Sequence, residues 1–163
     1  MLRIFAILGG VSGAVALSQF PEFSQQYLQR LAGKVDALTA VAAQFDATAA
    51  RNSLTREAAL AALTGSPVLT DQQADMRATL ALQALLADNL AVLRAAGPLE
   101  RLTMPQKFGD VETLQATWAD YKPAVPATTD GAITAGLGYV GGWFGVAALM
   151  RLLGLFFRRR RAW

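Results

Sequence analysis

Residues Gly131 to Met150 read GAITAGLGYVGGWFGVAALM, twenty positions without a charge. As an α-helix rising 1.5 Å per residue, that is about 30 Å, the thickness of a bilayer's hydrocarbon core. Thr134, Gly138, Gly141, Gly145 and Ala148 recur at three- and four-residue spacing and form one seam of small residues. Ile133, Leu137, Val140 and Phe144 fall on a different, bulky face. The pairs Gly138-x-x-x-Gly142 and Gly141-x-x-x-Gly145 let another backbone come close, which is how helices associate in lipid. The stretch is read as a transmembrane helix with a packing face.

Working outward, the charges divide the chain. All twelve acidic residues lie between Glu22 and Asp130. Nine Lys/Arg share that block and leave it at −3. The other six positive charges are Arg3, Arg151 and the run Arg158, Arg159, Arg160, Arg161, with no acid beside them. The sequence pI near 9.7 alone would suggest a nucleic-acid partner. The excess charge flanks an apolar segment, however, and such a patch belongs at a membrane surface. No nucleic acid is expected. Arg151 is assigned to snorkel towards that surface, or to meet an anionic lipid head group or a neighbouring subunit.

A second apolar stretch runs from Ile4 to Pro21, between Arg3 and Glu22. Ala6, Gly9, Gly13 and Ala16 make its small-residue seam, and Ile4, Leu8, Val11 and Val15 its bulky face. Two matched seams imply that the helices pack on each other or on copies of themselves. Arg3, the apolar run and Ala14-Val15-Ala16 also fit a secretory signal with a small-residue cleavage site. The glycine seam exceeds what a disposable signal needs, so a retained span is the preferred reading. Arg158–Arg161 then hold the C-terminus in the cytoplasm by the positive-inside rule, and two spans put the N-terminus there too. Residues 22–130 face outward, into the periplasm of a Gram-negative cell.

The insert between the spans reads as helical. Leu28, Leu31, Val35, Leu38, Ala42 and Phe45 follow a three-four stripe that predicts a helix over Pro21 to Ala50. Thr55 is expected to cap a short helix, Arg56 to Leu63, ended by Gly65. Thr70 with Gln73 resembles a capping box opening a long helix, with Asp71 at its positive end. Met76, Leu80, Gln83, Leu86, Leu90 and Leu93 line one side of it, and Gly97-Pro98 stops it. Arg101 to Gly109 is expected as loop or a single turn. Asp110 should cap a last helix to about Asp120, carrying Val111, Leu114 and Trp118. Pro123 and Pro126 mark a linker back to the membrane.

The fold class expected is all-α: two transmembrane helices flanking an extracytoplasmic antiparallel helical bundle. The domains are 1–21 (first span), 22–130 (periplasmic domain), 131–157 (second span) and 158–163 (basic cytoplasmic tail). Catalytic inventory is thin. The chain has no Cys and no His, which removes thiolate chemistry, the commonest general base and the commonest transition-metal ligand. No Ser-x-x-Lys spacing occurs, and a serine nucleophile lacks a histidine partner. Asp71 and Asp75 are read as solvated helix-start charges rather than a cation pair. Gly9-Gly10-x-x-Gly13 lacks the preceding strand of a dinucleotide fingerprint. No catalytic residue, cofactor or metal site is expected.

The segment Leu17 to Leu31, which includes Ser18-Gln19-Phe20-Pro21-Glu22-Phe23, resembles a family of small proteobacterial inner-membrane proteins known as a domain of unknown function. Ala74-Asp75-Met76-Arg77 and Ala116 to Pro126 carry the same resemblance, which covers nearly the whole chain. It implies a bacterial inner-membrane location and brings no activity with it. The function expected is a non-enzymatic membrane protein that self-assembles or scaffolds an envelope complex. Its helix-packing residues are Gly9, Gly13, Gly138, Gly141, Gly142 and Gly145. Membrane lipids, further copies of the chain and other inner-membrane proteins are the expected partners. The alternative is a periplasmic helical module that binds or senses a lipid or apolar ligand.

Overall fold

Gln19 is the only residue separating the first two helices, so the apolar N-terminal stretch runs almost directly into the polar one. The computed structural model describes residues 2–123 and 128–159, and every regular element among them is helical. These are α1 (Leu2–Ser18), α2 (Phe20–Arg51), α3 (Arg56–Ala61), α4 (Pro67–Ala95), α5 (Pro98–Arg101), a 3₁₀ turn (Pro105–Phe108), α6 (Val111–Asp120) and α7 (Thr129–Arg159). The expected linker residue Pro126 and the tail residues Arg160 and Arg161 lie outside the described residues.

Among the described residues, three helical stretches are long and apolar enough to cross a membrane: Arg3–Arg51, Pro67–Ala95 and Thr129–Leu153. The sequence reading counted two. The third is α4, whose stretch from Ala78 to Ala95 carries only Asp88 and Arg94 as charges.

The helices sort into two units, with the division inside α2 after Gln25. One unit holds α1, the start of α2, α5 and α7. Here α1 and α7 pack along their length. Ala6, Ser18 and Thr134 are buried in this unit. The outer faces stay apolar: Ile4, Leu8, Val15, Leu137, Phe144 and Leu152 are each more than half exposed. A contiguous apolar surface of this kind has no reason to face water and suits lipid.

The other unit holds the rest of α2 with α3, α4, the 3₁₀ turn and most of α6. Its core is the expected pair of stripes. Leu28, Leu31, Val35 and Ala42 of α2 are buried, as are Leu86, Leu90 and Leu93 of α4. Gln83 of α4 donates its Nε2 to Thr39 Oγ1 of α2 at 3.1 Å. Thr55 caps α3 by accepting from the Ala58 N–H.

Several local expectations need correction. Helix α3 ends at Ala61 with Ala62 as its cap, and Gly65 lies beyond it in the left-handed region at φ +95°. Helix α4 starts at Pro67, not Thr70. Ser66 is its cap and accepts from the Leu69 N–H. Proline at the first helical position has no N–H to leave unpaired and its φ is already helical, so Ser-Pro outcompetes the later signal. Thr70 and Asp71 thus sit inside the helix, and Gln73 donates to the Leu60 carbonyl at 2.6 Å instead of closing a capping box. Arg101 to Gly109, expected as loop or a single turn, holds the 3₁₀ turn, while the short helix α5 directly after Gly97 was not expected. On α6 the buried residues are Thr113 and Thr117, while Val111 and Trp118 are exposed.

Candidate functional site

In the first unit the glycines decide how closely α1 meets α7. A Cβ placed on Gly138 would fall within 3.0 Å of the Gly13 carbonyl group, and one on Gly142 would do the same at Gly9. The reverse holds: a Cβ on Gly13 would strike the Gly138 carbonyl, and one on Gly9 the Gly142 oxygen and the Val146 side chain. Gly10 faces the Tyr139 ring. So Gly9, Gly13, Gly138 and Gly142 are brought together, backbone on backbone. Gly10 belongs with them and was not singled out in the sequence, although Gly9-Gly10 placed it beside the seam.

Gly141 and Gly145 are placed elsewhere. A Cβ on either meets nothing within 4 Å among the described residues. The single seam read from Thr134 to Ala148 is therefore split. Thr134 and Gly138 serve the contact with α1, while Gly141 and Gly145 lie on a flank of α7 that this chain leaves open. Thr134 is buried because its hydroxyl is satisfied within its own helix, donating to the Asp130 or Gly131 carbonyl, both at 3.0 Å.

The break at Gln19 is tied by side chains of the same unit. The Tyr121 hydroxyl donates to the Gln19 carbonyl at 3.2 Å or to its Oε1 at 3.0 Å. Gln19 Nε2 donates to Ser18 Oγ at 3.1 Å, which itself donates to the Val15 carbonyl at 2.9 Å. The Gln19 carbonyl also accepts the Phe23 N–H at 3.0 Å as α2 begins, and the Ser18 hydroxyl serves a carbonyl in the last turn of α1. The Phe23 and Tyr121 rings stand edge to face at 5.6 Å. Nearby Arg101 is buried, donating through Nη1 to Ser24 Oγ and Gln25 Oε1 at 3.5 Å each. Burial lowers its guanidinium from the ordinary value.

The second unit has its own polar cluster. Lys34 Nζ of α2 donates to both Asp110 oxygens at 3.0 and 2.9 Å and to Glu112 Oε2 at 2.8 Å. Asp110 also caps α6, accepting from the Thr113 N–H at 3.3 Å and from the Thr113 hydroxyl. Burial pushes the Asp110 carboxyl up, but the Thr113 hydroxyl and the Lys34 ammonium outweigh it and hold it below the ordinary value. For Lys34, burial lowers the ammonium, and its hydrogen bonds to Glu112 and Asp110 reverse that. Tyr27 stacks against Phe108 with ring centroids 4.8 Å apart. Its hydroxyl lies near the Asp110 backbone N–H, sealed from solvent and without a hydrogen bond of good geometry. Burial raises it.

Among the described residues no group of three or more His, Cys, Asp or Glu is placed to hold a metal. Arg151 is exposed on α7 and has no hydrogen bond or ion pair among the described residues. Arg158 and Arg159 continue the α7 backbone.

The family described as "Protein of unknown function (DUF2937)" matches residues 1–159. The chain belongs to this family. No curated protein and no solved structure matches it. Membership therefore brings no activity with it.

Proposed function

We propose that this DUF2937 member is a non-enzymatic inner-membrane protein that assembles with copies of itself, or scaffolds an envelope complex, through its membrane helices. Helices α1 and α7 are the two spans, both termini are cytoplasmic, and residues 22–130 form a periplasmic helical domain. The observation that carries the reading is the division of the glycines. Gly9, Gly13, Gly138 and Gly142 are used within the chain, whereas Gly141 and Gly145 present bare backbone to whatever lies outside it. Lipid tails are as apolar as leucine, so close backbone approach is what makes two spans associate. The same division supports a retained first span, because α1 fills one side of α7. Helix α4 is read as part of the periplasmic domain, because Gln83 bonds to Thr39 and Lys107 pairs with Asp88 at 2.9 Å.

Mass measurement of the full chain in native-lipid nanodiscs tests the reading. The parent should run as a homo-oligomer. Gly141→Ile with Gly145→Ile should shed subunits, while Leu137→Ile with Val140→Ile should leave the mass unchanged. A monomeric parent rules out self-assembly and leaves the module that binds or senses a lipid or apolar ligand as the better reading.

A further inference from the structure

On α7, two rows at four-residue spacing run side by side: Trp143, Ala147, Arg151 and Phe144, Ala148, Leu152. Residues four apart are neighbours along a helix surface. The two alanines therefore make a dip between bulky walls one turn to either side. The dip is an open groove of about 420 Å³ lined by these six residues. The α1 glycines meet Gly138, Tyr139, Gly142 and Val146, none of which lines the groove, and no α1 residue lines it either. One end is aromatic and the other carries a guanidinium.

The charge at that end needs a partner. Arg151 has no hydrogen bond or ion pair among the described residues. Six uncharged residues, Leu152 to Phe157, separate it from Arg158. It thus sits about 10 Å along the helix short of the basic run. A charge at such a depth is costly unless its stem snorkels to the interface, where the head group meets water or an anion. No Asp or Glu precedes Glu22 or follows Asp130. Neither this chain's spans nor those of a second copy can supply a carboxylate there. The anion that is present at a membrane surface in quantity is lipid phosphate, and a guanidinium matches its oxygens in a bidentate fork.

We propose that this groove is a phospholipid site: Arg151 holds the phosphate of an anionic lipid, and one acyl chain lies over Ala147 and Ala148 against Trp143. The proposal rests on α7 spanning a membrane. It commits to a net-negative head group, because a zwitterionic lipid carries an ammonium that already neutralises its phosphate. Arg151 is the selecting residue, and the alanine dip admits the chain.

Trp143 provides the readout. In the full chain carrying Trp118→Phe and Trp163→Phe, it is the single indole. The protein is placed in phosphatidylcholine bilayers with either brominated phosphatidylglycerol or brominated phosphatidylcholine, and quenching gives the relative occupancy of each lipid. Phosphatidylglycerol should be preferred about fivefold, the value of one arginine near a charged surface. Arg151→Gln should bring the preference to about one while quenching by phosphatidylcholine persists, which shows that the variant is still inserted. Ala147→Leu should reduce quenching by both lipids. Replacing Arg158 to Arg161 by Gln should leave the preference in place. Equal quenching by the two lipids in the parent overturns the proposal, as does a preference that survives Arg151→Gln or vanishes with the tail. If neither lipid quenches Trp143, the membrane-spanning reading fails and the site fails with it.

Discussion

A methyl group is the smallest change that can be made at Gly138, and it would lie inside the contact distance of the Gly13 carbonyl. The neighbour there is backbone, which cannot swing aside as a side chain can. Gly138→Ala should therefore destabilise the α1–α7 pair by about 1–3 kcal/mol, the usual range for overpacking. Gly136 is the control, since a Cβ there meets nothing within 4 Å. Gly136→Ala should gain up to about 1 kcal/mol from helix propensity. Thermal unfolding of both variants in bilayers checks the pair, and equal melting would show that α1 does not depend on that close approach. These residues were visible in the sequence as glycines at helical spacing. What spacing could not decide was which of them meet a partner. Gly138, Gly141, Gly142 and Gly145 populate more than one face of α7, and only the position of the α1 backbone separates the used from the unused.

The Lys34–Asp110 bond fixes one helix, α6, against another, α2. Asp110→Asn removes the charge from a bond to Lys34 and weakens the cap of α6, and should cost about 1–3 kcal/mol. The pH dependence follows from the directions of the two shifts. The Asp110 carboxyl is held below its ordinary value, so its contribution is complete above the unfolded-state value and is lost as pH falls through the lowered one. The Lys34 ammonium is held above its ordinary value, so its contribution is complete below the unfolded-state value and is lost as pH rises through the raised one. Stability of the helical domain should be level around neutral pH and fall towards both extremes. In Asp110→Asn the fall on the acid side should be shallower. Parallel urea melts at pH 3, 7 and 11, together with the variant, read this directly. An unchanged acid limb would remove Asp110 from the clamp. At this scale the stripes of α2 and α4 were legible, because each repeats over several turns. The face of α6 was not. Val111, Leu114 and Trp118 form an apolar row, yet the helix is turned by about a third of a revolution so that Thr113 and Thr117 are inside. The Asp110 bond to Lys34 sets that rotation, and Thr117 tolerates burial because its hydroxyl donates to the Thr113 carbonyl at 2.7 Å.

For the whole chain, the topology proposed above is open to a direct check. A reporter active only in the periplasm should be silent when fused after Trp163 and active when inserted at the exposed Gly65 turn. Activity at the C-terminus would overturn the orientation. A silent insertion at Gly65 would move the helical domain to the other side. The charge partition that leads to this expectation can be read without coordinates, since acids cease outside Glu22 to Asp130. The apolar character of α4 could not be sorted in the same way, because a buried helix and a spanning helix both read as long apolar runs. The glycine contact also has a bearing on how the protein is made. Gly13 and Gly138 lie 125 positions apart in the sequence. At roughly 5–20 residues per second of synthesis, the ribosome needs about 6–25 s to deliver the second after the first. If α1 and α7 are the two spans proposed above, a nascent α1 carries exposed glycines and no mate for that interval, and any other close-packing span nearby can take the place of α7. In the proposed topology, closure of the α1–α7 pair has to wait for α7 and is open to competition from neighbours until then.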